Sequence, residues 1–475
     1  MQPVMWKHKG GRTMIITNAV SAFADWAWGI PMLIWLVGGG IILTIAIGGL
    51  QFRRLGFVIR QTLIKSIKDK TKTGNITSFQ SVLAALSGTI GTGNIVGVGA
   101  AIALGGPGAI FWMWVVGCVA MGIKYCEVLS SQKYREPAED GHGYLWNAGP
   151  VMYLKKGLGI KGLGAVMSFC YAIVATWALI MSAPEHTSAI TDVLGHAYGV
   201  PKLASIIVCV IIVAAVMLGG MKRFVKASEF CVPIMSIVYI VFGLVVILVN
   251  FTNIPHAIAS IFAGAFTGTS AVGGFAGAGI SQALRWGTAR VMYSSDAGTG
   301  ISSIMHGQAE CEHPAQQGLY GVLEVFVDTI IVCTFTALVI LCTGVWETGA
   351  EGSSLALSAF GSALGGVGTF VAVASLVLFA ITSAIGMAIF MERQAHMLWG
   401  KYVARTLQVI YLVLMVAGGY VGFDAVLPYT DMSCALEIFI NMTGLVIMVA
   451  GIRATTKDYF ENFLPSKGIQ LKRKG

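Results

Sequence analysis

Between positions 88 and 97 the chain reads Gly88-Thr89-Ile90-Gly91-Thr92-Gly93-Asn94-Ile95-Val96-Gly97. The decapeptide lies inside an apolar run from Phe79 to Leu104. Glycine costs ~1 kcal/mol against alanine in a helix interior, so a helix here breaks readily. A break at membrane depth frees amide and carbonyl groups that lipid cannot satisfy. The half-helix ends carry opposite partial charges, which suit a zwitterionic solute and a small cation. The same small residues also suit a close packing face between helices.

Five further groups of residues bear chemistry. In Phe379-Ala-Ile-Thr382-Ser383-Ala-Ile-Gly386-Met387 the adjacent hydroxyls either bond back to their own helix or join freed carbonyls around a hard cation. In Met181-Ser-Ala-Pro184-Glu185-His186-Thr187-Ser188, a proline kink precedes an acid. Glu185 either caps an external loop or sits at the mouth of a substrate cavity, where it could accept a proton. Glu324 and Asp328 stand one turn apart in an apolar stretch, as buried structural acids or as a proton relay. Arg285, Arg290 and Asp296 form either an ion-pair gate or helix caps. Lys124 and Glu127, also one turn apart, either neutralise each other or snorkel.

The elements that position these residues are membrane helices. Of 475 residues 56% are apolar and 11% are charged, against about 25% charged in a soluble domain. Eleven segments are long enough to cross, near 27–49, 79–104, 107–130, 162–183, 203–220, 230–250, 258–284, 318–344, 364–390, 403–423 and 432–452. The segment 258–284 is again interrupted by Gly, Ser and Thr. Of the 31 basic residues, 26 fall in alternate loops and the C-terminal tail, beginning with seven in loop 51–72. The positive-inside rule then places the N-terminus outside and the C-terminus in the cytoplasm. The net charge of +9 is therefore topogenic, with contact to anionic membrane lipid and no nucleic-acid partner. The nine cysteines contain no CxxC pair and read as small apolar residues. The spans offer no nucleophile–base pair for an enzyme and no ring-forming filter motif for a channel.

With 27–50 set aside as a peripheral first span, ten spans remain in two sets of five, at 79–250 and 258–452. Each set opens with a Gly-broken span. Five is odd, so the sets enter from opposite sides, which is the inverted repeat of secondary transporters. The chain reads as one transmembrane transporter domain over 1–475, ending in a basic cytoplasmic tail at 453–475.

The run 88–97, the stretch Gly105-Gly-Pro-Gly-Ala-Ile-Phe-Trp-Met-Trp114, the stretch Gly273-Gly-Phe-Ala-Gly277 and the segment Arg290 to Gly298 carry a resemblance. Together they resemble the alanine or glycine:cation symporter family (the sodium:alanine symporters) of the amino acid-polyamine-organocation superfamily, found in bacteria and archaea. The resemblance covers most of the chain. It implies an all-α polytopic protein of the leucine-transporter-like 5+5 fold with one extra N-terminal span. It also implies a prokaryotic cell-membrane location, uptake of small neutral amino acids, and Na⁺ or sometimes H⁺ as coupling ion. No covalently bound cofactor is expected. Thr92, Gly93 and Asn94 would line the substrate site, with Thr382 and Ser383 facing the cation.

The chain departs from the family pattern at several places. Glu185 stands where members carry Gln, Met387 where they carry Trp, Ser294-Ser-Asp-Ala-Gly298 for Ser-Asn-Glu-Ala-Gly, and Ala148-Gly-Pro-Val-Met152 for Gly-Gly-Pro-Met-Tyr. Met for Trp admits a larger side chain, such as that of glutamine. A carboxylate for Gln favours a cationic amine or H⁺ coupling. The resulting expectation is a cation-coupled amino-acid importer working by alternating access, or a transport-deficient sensor of the same fold. Freed amides near Thr92–Asn94 hold the substrate carboxylate, with Glu185 and Met387 in the pocket. Phe275 and Gly277 form the opposite wall. Gly88, Gly91, Thr382 and Ser383 hold Na⁺. Sequence alone leaves monomer and homo-oligomer open.

Overall fold

A computed structural model describes residues 11–64, 76–138, 146–160, 162–266, 279–349 and 352–469 of the chain. The described residues are overwhelmingly helical. Two two-residue strands, Glu136–Pro137 and Trp146–Asn147, pair antiparallel beside them. The helices used below are α1 (Gly11–Ala27), α2 (Gly39–Ala46), α3 (Ser78–Thr89), α4 (Val98–Gly105), α5 (Gly108–Lys133), α6 (Leu163–Tyr198), α7 (Lys202–Met217), α8 (Gly220–Val249), α9 (Ile254–Phe266), α10 (Ile280–Ser295), α11 (Pro314–Val325), α12 (Thr334–Thr343), α13 (Gly352–Val421), α14 (Phe423–Ile447) and α15 (Val449–Asp458).

Local chemistry sets the ends that matter. Thr77 starts α3 with a capping box: its hydroxyl accepts from the Gln80 amide, and the Gln80 side chain accepts from the Thr77 amide. Helix α3 stops at Thr89, and Ile90 is extended at φ −70°, ψ 98°. Helical geometry resumes at Gly93, and the two halves are bent by 58°. At Gly106 the backbone turns left-handed (φ 72°), and Pro107 then leads into α5. His313 caps α11: its Nδ1 accepts from the Ala315 amide at 3.1 Å, which leaves Nε2–H to donate to Asp458 Oδ2 of α15 at 3.2 Å.

Helix α13 spans Gly352–Val421 but leaves helical geometry at Gly365 (φ 61°, ψ −141°) and Gly400 (φ 81°, ψ 176°). It therefore works as three rods. The middle rod packs along α3, α6 and α8. Helix α5 lies against α10 and α11, and α14 against α1 and α6. At the break the backbones meet glycine on glycine: a Cβ on Gly386 of α13 would stand 2.8 Å from the Gly88 Cα.

Among the described residues, six helices are long and apolar enough to cross a membrane, or up to eight if each of two bent pairs counts as one crossing. The expected eleven segments are distributed differently for identifiable reasons. Segments 364–390 and 403–423 are separate rods on either side of Gly400, within the range Ser354–Val421 that counts as a single crossing helix. Helix α7 has only 16 residues, and 258–284 includes residues outside those described. The first segment is itself bent by 42° near Gly29. Trp28 is buried and donates to the Asp431 carbonyl, whereas Trp26 is exposed. Lys124 and Glu127 do not snorkel, because both are fully buried.

Candidate substrate and ion site

The break between α3 and α4 frees carbonyls that a second helix meets. Ser383 Oγ of α13 donates to the Gly88 carbonyl at 2.7 Å and reaches the Ile90 carbonyl at 3.4 Å. Gly91 makes the approach feasible, since a Cβ there would run into Ser383 Oγ. Three neutral oxygens thus converge at the break, the donor type a hard monovalent cation takes. Thr382 is placed differently. Its hydroxyl bonds back to the carbonyls of Leu378 and Phe379, both at 3.0 Å.

Asn94 holds the break in shape. Its Oδ1 accepts from the Gly91 amide at 3.0 Å, in place of a lost helical partner. Its Nδ2 donates to Asp328 Oδ1 at 2.7 Å, just beyond α11. Asn94 therefore acts as a brace and does not line the cavity. Gly93 is forced by α10, because a Cβ there would lie 2.9 Å from the Tyr293 carbonyl.

A cavity of about 50 Å³ opens on this framework. Gly88, Gly91, Thr92, Gly93, Ser383 and Met387 line it from the broken span and α13. From α6 come Ser182, Glu185 and His186. Glu185 is inside the helix and only 3% exposed, which corrects the external-loop reading. Its Oε1 accepts from the Tyr293 hydroxyl and, at 3.5 Å, from Thr92 Oγ1. The acid thus ties the break to α6 and α10. Asp296 lines the cavity from the end of α10, and Thr430, Cys434 and Glu437 line it from α14.

The ion-pair gate does not form. Arg285 pairs with Asp25 at 2.6 Å. Arg290 lies over the Trp286 ring at 5.2 Å and the Tyr293 ring at 5.5 Å. Asp296 is instead the C-cap of α10, in left-handed geometry at φ 50°. Phe275 and Gly277, expected as the opposite wall, lie outside the described residues, as does the rest of Gly273-Gly-Phe-Ala-Gly277.

Sequence reasoning missed Tyr293, His186 and Glu437 as wall residues. A signal existed for Glu437, an ionisable group inside an apolar span. It lacked a motif to attach it to the broken helix. A second buried cluster borders this region. Lys124 Nζ donates to Ser302 Oγ at 2.8 Å and lies 3.8 Å from Glu127 and 3.7 Å from Glu324, with all three acid and base side chains fully buried. Glu324 also meets His306 Nε2 at 2.8 Å, and Glu127 Oε1 accepts from the Gly298 amide and from Asn441.

A bundle of apolar helices around a broken span and a buried polar cavity defines a membrane transporter, not an enzyme. The fold is similar to that of MhsT, solved in complex with L-phenylalanine, at a TM-score of 0.53 and 13% identity over 85% of this chain and 94% of that one. The chain belongs to the sodium:alanine symporter family, whose model matches residues 13–472. It is 34% identical to the sodium/alanine symporter AgcS of Methanococcus maripaludis over 94% of this chain and 97% of that one. It is 35% identical to the transporter YflA of Bacillus subtilis over 93% of each.

Proposed function

We propose that this protein imports a small neutral amino acid, alanine- or glycine-like or as large as glutamine, coupled to Na⁺ by alternating access. The observation that carries this reading is the meeting of the Gly88 and Ile90 carbonyls with Ser383 Oγ on one wall of a cavity that Thr92 and Gly93 also line. An ion at those oxygens would stabilise the unwound segment. That segment would present the freed amides near Thr92–Asn94 to a substrate carboxylate, so ion and substrate favour each other reciprocally. AgcS, a sodium/alanine symporter by name, supports the choice of ion and substrate class. Met387 and the absent aromatic bulk support room for a glutamine-sized side chain. We place the protein in a prokaryotic plasma membrane, N-terminus outside and C-terminus in the cytoplasm. Its spans form a 5+5 inverted repeat with one added first span, in one transporter domain.

A second reading keeps the fold and exchanges the ion. Glu185 lines the cavity, and the Lys124–Glu324–His306 cluster lies nearby, so H⁺ could drive an amino-acid or amine symport. Proteoliposome uptake of an amino-acid panel decides between them. Accumulation with an inward Na⁺ gradient supports the first reading. Accumulation with an inward H⁺ gradient alone supports the second. Folded protein that accumulates nothing under either gradient overturns both and leaves a sensor.

A further inference from the structure

We propose that Asp296 and Glu437 form an ammonium subsite in this cavity, which extends its ligands beyond neutral amino acids to short amino compounds carrying a second positive charge, such as diamino acids, and binds these more tightly. The proposal rests on the transporter reading of the cavity. It does not rest on Glu185, whose Oε1 already accepts from Tyr293 and Thr92.

The observation is a set of buried acceptors without donors. Glu437 is 0% exposed, and neither carboxylate oxygen has a hydrogen-bond partner among the described residues. Asp296 is 8% exposed, and its Oδ2 is likewise unpartnered. Thr430 Oγ1, on the same face of the cavity as Glu437, is unpartnered too. All three residues line the cavity. Native proteins pair buried polar groups, and an isolated buried carboxylate is strongly unfavourable, so this wall is incomplete without a donor.

Among the described residues, no basic side chain supplies that donor. The cavity lining contains three carboxylates and neither lysine nor arginine. His186 directs Nδ1 to the Ser182 carbonyl at 2.7 Å. Arg290 is held between the Trp286 and Tyr293 rings, and Lys124 is engaged by Ser302, Glu127 and Glu324. An ammonium group brings three N–H donors and one positive charge. It matches an array made of Asp296 Oδ2, the Glu437 carboxylate and Thr430 Oγ1.

Charge then selects the substrate class. A neutral amino acid enters as a zwitterion and adds no net charge. One coupling cation offsets one of the three carboxylates. A diamino acid offsets a second, with its carboxylate directed to the freed amides near Thr92–Asn94 and an ammonium to Asp296 and Glu437. The cavity volume of about 50 Å³ favours a short carbon chain, so 2,3-diaminopropionate is a better fit than lysine.

The test is equilibrium binding to the full-length protein in detergent with Na⁺ present, using alanine, glutamine, 2,3-diaminopropionate and lysine as probes. Diaminopropionate is expected to bind at least about tenfold tighter than alanine, a difference of ~1.4 kcal/mol. E437Q and D296N are each expected to reduce that preference about tenfold or more. Alanine binding as tightly as diaminopropionate overturns the subsite while leaving the transporter reading intact. This comparison needs only the wild-type protein, so it stands even if the variants fail to fold. A preference that survives in folded E437Q and D296N also overturns the subsite. Failure of every probe to bind overturns the underlying transporter reading as well.

Discussion

Ser383 and Asn94 act on the same break by different means, and their substitutions separate accordingly. Ser383 supplies a hydroxyl among the Gly88 and Ile90 carbonyls. In S383A the Na⁺ concentration for half-maximal uptake should rise about tenfold, while the saturating rate falls less, because one oxygen of a neutral set is lost. Uptake titrated against Na⁺ checks this, and an unchanged Na⁺ dependence removes Ser383 from the ion site. Asn94 holds the Gly91 amide and ties it to Asp328. N94A leaves a buried acid without its donor, so uptake should fall more than about tenfold at every Na⁺ concentration, since a lost partner to a buried charged group costs ~1.5–3 kcal/mol. Tracer uptake with folded protein, judged by gel filtration, is the readout. These contrasting roles were only half legible in the sequence. The glycines and threonines announced the break, because they disfavour a continuous helix. The side-chain direction of Asn94 was hidden, because its partner Asp328 lies 234 positions away and only the tertiary fold brings them together.

At the scale of elements, the site depends on how closely α13 can approach the broken span. A Cβ on Gly386 would meet backbone atoms of Gly88, Cα at 2.8 Å and N at 3.1 Å, and backbone yields less readily than a side chain. G386A should therefore push the middle rod of α13 away from the break. We expect a loss of ~1–3 kcal/mol from overpacking, together with weaker protection by Na⁺. Melting curves in detergent with and without Na⁺ measure both. The cap of α11 gives an independent test outside the spans. Burial pulls the His313 imidazole below its ordinary value of 6.5. Its neutral form is the one whose Nδ1 can accept from Ala315. The cap's contribution is therefore complete above pH 6.5 and lost as pH falls through the lower folded-state value. In H313N the cap acceptor does not titrate. Wild type should thus lose more melting temperature than H313N between about pH 7.5 and pH 5, and equal losses would count against the cap. The long α13 shows what apolar patterning conceals. Its apolar residues run on through Gly365, yet that glycine's backbone angles divide it there, whereas the division at Gly400 is announced by the polar stretch Glu392-Arg393-Gln394 and by Lys401.

Across the whole molecule, Lys124 joins parts of the chain that are far apart in sequence: α5 itself, Ser302 after α10, and Glu324 of α11. Through Glu127 the cluster also reaches Asn441 of α14. K124M leaves two buried acids facing one another without a cation. It should cost ~3–5 kcal/mol, and adding E324Q should restore part of the loss. Fluorescence-detected gel filtration after heating would show both, and additive losses in the double variant would mean the two residues are uncoupled. Individual acids and bases inside spans were visible in the sequence, but their full assembly was not, because the Lys124–Glu127 pair, Glu324 and Asn441 sit in three different apolar helices. The cluster also bears on how the protein is made. Helix α5 must enter the bilayer carrying Lys124 and Glu127 before the ribosome has made Glu324 or Asn441. A lysine or aspartate at a helix centre disfavours insertion by ~2.5–3.5 kcal/mol. The one-turn spacing lets Lys124 and Glu127 offset each other during that interval, as a temporary partnership until the later helices arrive. A nascent chain stalled before α11 would then display an unfinished charged core to the membrane quality-control machinery, which makes completion of the C-terminal third the step that commits the protein to survival.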